Sequence, residues 1–330
     1  MSSARTSTGP AVGPGHVRTS ADLDRATIVR VLSLAGRLRE ERRQAIADGR
    51  PVVRDELAGR TVALVFEKPS TRTRVSFQVA VTELGGAALP LSSAELQLGR
   101  GETIADTAAV LSRYVHAIVL RTFGQERLDE LADAASVPVI NALSDLDHPC
   151  QALADLLTLQ DEFGRLQGVA LAYVGDGNNV AHALLVMGAT MGLDVRVAHP
   201  EGHAPDPAIV AEAARRAEAA GGRVSVTTDV DAAVEGADAL YTDVWVSMGQ
   251  EDAPDRREAF VPYRLDEALL ARAAEHAIVL HCLPAHRGEE ISGGAIDGPS
   301  SRVFDQAENR LHVQKALLVE RCAVRPAGPA

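Results

Sequence analysis

Thr61-Val62-Ala63-Leu64-Val65-Phe66 runs directly into Glu67-Lys68-Pro69-Ser70-Thr71-Arg72-Thr73-Arg74-Val75-Ser76-Phe77. The first six residues form a short run rich in Val and Leu, the pattern of a strand buried on both faces of a parallel sheet. Downstream, Val75, Val79, Val81 and Leu84 fall mostly on one side of a helical wheel before Gly85-Gly86 ends the run. A polar cluster therefore sits where a strand turns into a helix. The first turn of such a helix has backbone N–H groups without intrahelical partners and the positive end of the macrodipole, and both favour a phosphate. Ser70, Thr71 and Thr73 add hydroxyls. Arg72 and Arg74 lie two residues apart and point in different directions, so Arg72 is assigned to the anion and Arg74 to the loop. The plainer reading makes Ser and Thr helix caps and the arginines a solvated face.

Working outward, strands and helices alternate. A helix over 22–47 precedes the quoted strand, and the helix over 71–84 leads to a strand at 87–91, a polar loop at 92–102 and a helix at 103–114. Next come a strand at 117–120, a helix at 126–134, a strand at 137–141 and a helix at 151–162. A second alternation follows: strand 169–174, helix 179–191, strand 194–198, helix 206–219, strand 223–227, strand 239–242, helix 266–274 and strand 278–280. A long loop at 284–305 and a final helix at 307–322 complete it. Such alternation implies right-handed βαβ units. The expected fold is α/β, with two doubly wound parallel-sheet domains and an active-site cleft between them. The expected divisions are a disordered tail at 1–20, one domain at 21–150, a second at 151–305, and a helix at 306–330 returning to the first.

The totals narrow the function. With 330 residues, two domains of ordinary size are comfortable. A formal charge of -12 repels nucleic acid, so the arginines near residue 72 read as a local anion pocket in an acidic protein. A composition of 46% hydrophobic and 24% charged residues, with no apolar run long enough to span a bilayer, implies a soluble protein without a membrane role. Three cysteines, Cys150, Cys282 and Cys322, are too scattered for a disulfide framework, which fits the cytoplasm. Residues 1–20 lack the apolar core of an export signal.

Ligands of doubly wound sheets sit beyond the carboxyl ends of strands, and the remaining polar motifs fall there. Arg121 directly follows Ile118-Val119-Leu120, where a ligand role and a solvated charge are equally compatible with the sequence. His148-Pro149-Cys150-Gln151 places an imidazole and a carboxamide three residues apart at a helix start, both able to bond one oxygen-rich or amide ligand. Gly175-Asp176-Gly177-Asn178-Asn179-Val180 invites comparison with the dinucleotide fingerprint but has Val180 in place of the third glycine, and the next strand ends in His199 rather than an acid. The Asn pair suits a carboxylate or polar group instead. Asp243-Val244-Trp245-Val246-Ser247-Met248-Gly249-Gln250 reads as a mobile lid over 244–258 with Gly249 as hinge, or as a loop whose Trp packs on the core. His281-Cys282-Leu283-Pro284-Ala285-His286-Arg287-Gly288 puts a thiol at a strand end, and a buried inert thiol is the plain alternative. His148, Cys150, His281, Cys282 and His286 have no zinc-finger spacing, so no metal site is assigned.

Together these motifs resemble the aspartate/ornithine carbamoyltransferase family over about residues 20–322. The family-level marks are Ser70-Thr71-Arg72-Thr73-Arg74 and His148-Pro149-x-Gln151. Cys150, Asp243-x-x-x-Ser247-Met248-Gly249 and His281-Cys282-Leu283-Pro284 mark its ornithine branch; the aspartate branch would show His-Pro-Thr-Gln and Pro-Leu-Pro-Arg. The resemblance implies transfer of a carbamoyl group from carbamoyl phosphate to the δ-amine of L-ornithine, in arginine biosynthesis or in reverse in catabolism, with no metal or organic cofactor. It makes the 21–150 unit the carbamoyl phosphate-binding domain and the 151–305 unit the ornithine-binding domain. It places Ser70, Thr71, Arg72, Thr73 and Arg121 at the phosphate, with Arg121 also at the carbonyl oxygen. His148, Gln151, Cys282, Leu283 and Arg310 complete the carbamoyl pocket. Ornithine would meet Asn179, Asp243, Ser247 and Met248, with its δ-amine near Asp243 and Cys282. Gln97 would reach a neighbouring subunit's phosphate, which implies a homotrimer or a multiple of trimers.

Overall fold

The computed structural model describes residues 15–92, 101–246 and 254–323. Its first half runs α1 (Arg25–Ala47), β1 (Thr61–Phe66), α2 (Thr71–Glu83), β2 (Ala87–Ser92), α3 (Ile104–Tyr114), β3 (Ala117–Arg121), α4 (Gln125–Ala134), β4 (Val139–Leu143) and α5 (Pro149–Phe163). The second half runs β5 (Ala170–Val174), α6 (Asn179–Met191), β6 (Asp194–Ala198), α7 (Pro207–Ala220), β7 (Arg223–Thr227), α8 (Val230–Val234), β8 (Ala239–Thr242), α9 (Pro254–Phe260), α10 (Glu267–Leu270), β9 (Ile278–His281), α11 (Gly293–Asp297) and α12 (Val303–Cys322). The strands form two parallel sheets, ordered β2-β1-β3-β4 and β7-β6-β5-β8-β9. In each, the order reverses once: between β1 and β3, and between β5 and β8. Crevices open at such switch points beyond the strand ends, and these two face one another.

The apolar six-residue run is β1, whose residues from Val62 onward are all buried, as a strand covered on both faces requires. Several expectations need correction. The buried stripe of α2 is Thr73, Phe77, Ala80 and Val81, while Val75 is 52% exposed; what packs on the helix, not apolar spacing alone, chooses its inner face. The tail ends sooner than residue 20. Val17 is fully buried and pairs with Ile140, and its N–H reaches the Val139 carbonyl at 2.8 Å, covering the open edge at β4. β4 itself starts two residues late, after Pro138, which has no N–H to give a ladder. A register shift opposite Leu120 and Arg121 then carries β4 on to Leu143. The expected 266–274 helix is only α10, the expected 284–305 loop contains α11, and α8 and α9 were not anticipated. Elements of four to seven residues are too short to display a period.

α12 starts in the second half and packs along α1, α2 and α5. Lys315, 1% exposed on α12, is paired with Glu83 of α2, and Arg302 bonds Glu162 of α5 at 2.8 Å. One continuous apolar core joins the two sheets, running from Leu64 and Phe77 through Leu153 and Leu156 to Leu171 and Leu184. At the far end of α12, a Cβ built on Gly15 would stand 3.5 Å from Nη1 of Arg321. No helix among the described residues is long and apolar enough to cross a membrane.

Candidate active site

The two switch points line one cleft of about 520 Å³. On its first side, Ser70 occupies the N-cap position of α2 but makes no side-chain cap bond, so its hydroxyl is not committed to the helix. Thr71 and Arg72 line the cleft beside it, and Arg74 does not. Arg121 ends β3 in the middle of the sheet and is 8% exposed, which removes the solvated reading. Arg310 enters from α12, also buried, with Nη1 donating to Gln151 Oε1 at 2.7 Å and Nη2 to Thr73 Oγ1 at 2.9 Å. Among the described residues, the Nε atoms of Arg121 and Arg310 have no hydrogen-bond partner. Burial, reinforced by Arg310 and Arg72, pulls the Arg121 guanidinium down to about 10. Lys68, stacked 4.7 Å over the Phe123 ring, is lowered by burial and then by Arg121. Four cations around one small volume create a strong demand for an anion.

His148 occupies the N-cap position of α5 without a side-chain cap bond, with Pro149 in the first turn. Burial, followed by Arg310, Arg121 and Lys68, holds its imidazole well below the ordinary histidine range, so it stands neutral with Nδ1 unpartnered among the described residues. Gln151 lies one turn along, its Nε2 donating to Asp155 Oδ1 at 2.8 Å. Cys150 belongs to the packing instead: fully buried, bonded to the Asn141 carbonyl at 3.5 Å, and pushed up to about 12 by burial.

Across the cleft, Asp243 follows β8. Its Oδ2 accepts from Asn178 Nδ2 at 2.9 Å and its Oδ1 from the Cys282 thiol at 2.9 Å. Burial and then the Asp243 charge push that thiol well above its usual range, so Cys282 is a hydrogen-bond donor and not a thiolate. Asn178 also caps α6 through Oδ1, which accepts from the Val180 N–H at 2.9 Å. Asn179 donates through Nδ2 to the Ser144 carbonyl at 2.6 Å and so ties α6 to the turn before His148. Gly177 packs tightly, with a built Cβ only 2.2 Å from Pro205 N, so backbone packing accounts for that glycine without a pyrophosphate. Leu283 holds φ at 59°, its N–H donating to His281 Nδ1 at 2.9 Å, and a cis peptide leads to Pro284. His281 Nε2 meets Glu290 Oε1 at 3.2 Å.

Asp243, His281 and Cys282 offer atoms within 4.8 Å of one another, as do His286, Glu289 and Glu290. In the first group both ring nitrogens of His281 are already engaged, by Leu283 and Glu290, so it is poorly suited to a metal. Trp245 is 3% exposed and stacks on Phe260 at 6.0 Å, as the core-packing reading of the 244–258 stretch held. Gln97, Ser247, Met248 and the hinge residue Gly249 lie outside the described residues. Arg287, without a role in the sequence, pairs with Asp297 at 2.7 Å.

Two family models divide the chain between them. The carbamoyl-phosphate-binding domain of aspartate/ornithine carbamoyltransferases matches residues 15–161, and the Asp/Orn-binding domain matches residues 167–320. The chain belongs to the aspartate/ornithine carbamoyltransferase family. Within the family it is similar to an ornithine carbamoyltransferase of Acidothermus cellulolyticus, 59% identical over 304 residues, which are 92% of this chain and 95% of that relative. It is also similar to one from Parafrankia sp., 58% identical over 92% of this chain and 94% of the relative. The solved ornithine carbamoyltransferase from Pyrococcus furiosus superposes with a TM-score of 0.87 at 48% identity, covering 94% of this chain and 97% of that one.

The sequence reading of this carbamoyltransferase site missed Lys68, Asp155 and Glu290. It gave Asn178, with Asn179, to a carboxylate or polar ligand, whereas Asn178 caps α6 and bonds Asp243, as the position before a helix allows. Asp155 and Glu290 each have a partner four residues away, Gln151 and the His286 N–H, and that spacing was the available signal; the Gln306 bond to Asp155 spans 151 residues and leaves no local mark.

Proposed function

We propose that the protein transfers the carbamoyl group of carbamoyl phosphate to the δ-amine of L-ornithine, releasing L-citrulline and phosphate. The observation that carries this is the pairing, in one cleft, of the buried guanidinium groups of Arg121 and Arg310, whose Nε atoms have no partner among the described residues, with the Asp243–Cys282 pair opposite. The cluster suits a phosphate, and the carboxylate suits an ammonium group. In this reading Ser70, Thr71, Arg72 and Thr73 hold the phosphate, and Arg121 bridges phosphate and carbonyl oxygen. His148 donates to that oxygen as a neutral imidazole. Gln151, Cys282, the Leu283 backbone and Arg310 complete the carbamoyl pocket. Asn179 and Met248 take the ornithine carboxylate, and Asp243 and Ser247 the α-ammonium.

The δ-ammonium must lose a proton before its nitrogen lone pair attacks the carbamoyl carbon. The new N–C bond forms, the C–O bond to phosphate breaks, the electron pair leaves with phosphate under the field of Arg72, Arg121 and Arg310, and the nitrogen's surplus proton passes to an oxygen of the departing phosphate. Phosphate as leaving group supplies the activation, so positioning does most of the rest and no cofactor enters. We further propose that residues 21–150 form the carbamoyl phosphate unit, 151–305 the ornithine unit, and 306–330 the returning helix. Gln97 reaches the site of a neighbouring copy, making a homotrimer or a multiple of it, and the enzyme serves arginine biosynthesis or, in reverse, arginine catabolism, in the cytoplasm. Initial rates of citrulline formation from ornithine and carbamoyl phosphate test the activity. Turnover of putrescine or N-acetylornithine but not ornithine would overturn it.

A further inference from the structure

Asp155 sits on α5 one turn beyond Gln151, fully buried, and does not line the cleft. Its Oδ1 accepts two carboxamide donors: Gln151 Nε2 at 2.8 Å and Gln306 Nε2 at 2.6 Å. Each amide passes the constraint on. Gln151 Oε1 accepts from Arg310, which reaches Thr73 on α2. Gln306 Oε1 accepts the N–H of His281 at 2.9 Å, the residue before Cys282. One carboxylate oxygen therefore anchors both walls of the carbamoyl pocket.

We infer that Asp155 is a positioning residue that fixes which end of Gln151 and of Gln306 faces the site, and through them places Arg310 and the His281-Cys282 backbone. A carboxamide has two ends of nearly the same shape, and only its partners decide which is oxygen. Oδ1 accepts from both amides and its role as acceptor is the same whether the carboxyl is ionised or carries its proton on Oδ2, so both nitrogens turn toward Asp155 and both oxygens away from it. Reversal would set the Gln151 NH2 against the Arg310 guanidinium and the Gln306 NH2 against the His281 N–H, donor against donor. Among the described residues Asp155 forms no ion pair, and burial pushes its carboxyl up to about 7 against the pull of Gln306 and Gln151. A group this unfavourable to bury is explained by what it orients.

The inference rests on reading the cleft as a carbamoyl-transfer site. Its test compares Asp155→Asn with Asp155→Leu, measuring melting temperature, kcat, KM for each substrate and the Kd of carbamoyl phosphate by calorimetry. Asn keeps an acceptor at Oδ1 and the shape, so its kcat should stay within about threefold of wild type. Leu keeps only the bulk; kcat should fall about 100-fold and the carbamoyl phosphate Kd rise about tenfold, with the ornithine KM little changed. Equal losses in both variants, or equal rises in both KM values, would overturn the inference. Should the Leu variant not fold, Gln306→Leu severs one branch only; a kcat drop of about tenfold supports the inference and an unchanged kcat overturns it. The carbamoyl phosphate Kd is independent of the acceptor amine. It therefore judges Asp155 even if wild type makes no citrulline, an outcome that would count against the functional reading alone.

Discussion

At the scale of single residues, environment sets the chemistry of each group. Cys282 faces the cleft at a strand end, where a nucleophile might be sought, yet burial and Asp243 keep its thiol protonated. Iodoacetamide at neutral pH should therefore alkylate Cys282 in the native protein far more slowly than it alkylates free cysteine, as followed by mass spectrometry of quenched samples; rapid labelling would show a thiolate. His148 provides a second test. Its folded-state pKa lies below the ordinary value, so the imidazole carries no proton to lose above that range. Its ring NMR shifts should stay flat from about pH 6 to about pH 9, and a titration midpoint within that span would contradict the neutral donor. Ser70, Arg72, Arg121, His148 and Asp243 were legible because strand ends of a doubly wound sheet collect ligand groups. The burial of Arg121 was not, because nothing local says whether a strand is central or at an edge.

Among elements, the turn between β4 and α5 is held from three directions. Asn179 bonds the Ser144 carbonyl, His182 Nδ1 meets the Leu146 carbonyl at 2.8 Å, and Asp147 Oδ1 accepts the Ser20 hydroxyl at 2.7 Å. His182 Nε2 accepts the Asp206 N–H, so its proton is on Nδ1 and the ring bridges α7 to the turn. Burial pushes the Asp147 carboxyl up to about 7, against Ser20 hydrogen bonds that pull it down. The folded state thus binds a proton more tightly than the unfolded chain, and this contribution, full at acid pH, is lost as pH rises from about 4 to about 7. Urea unfolding across that window should show wild type losing stability relative to Asp147→Asn, by on the order of 4 kcal/mol. Parallel pH profiles would contradict the raised value. None of this turn was legible beyond His148 itself: Ser20 and Asp147 are 127 residues apart, and no local pattern joins them. β1 was legible because a strand buried on both faces needs an unbroken apolar run, whereas the contact face of α2 is chosen by what packs on it.

For the molecule as a whole, one core runs through both sheets, and α12 straps the halves together on α1, α2 and α5. Scanning calorimetry should therefore show a single cooperative transition, with near- and far-ultraviolet dichroism lost together; two resolved peaks would show that the halves unfold separately. The alternation of strands and helices made two parallel sheets legible, but the order of strands within them depends on crossovers that leave no local mark. The proximity of Gly15 to Arg321 has a consequence of another kind. The described chain is nearly a closed ring, so which segment comes first is a matter of gene order more than of physics. A circularly permuted gene, joined across those neighbours and reopened at the exposed turn around Gly202, would encode the same cleft read from a different starting point.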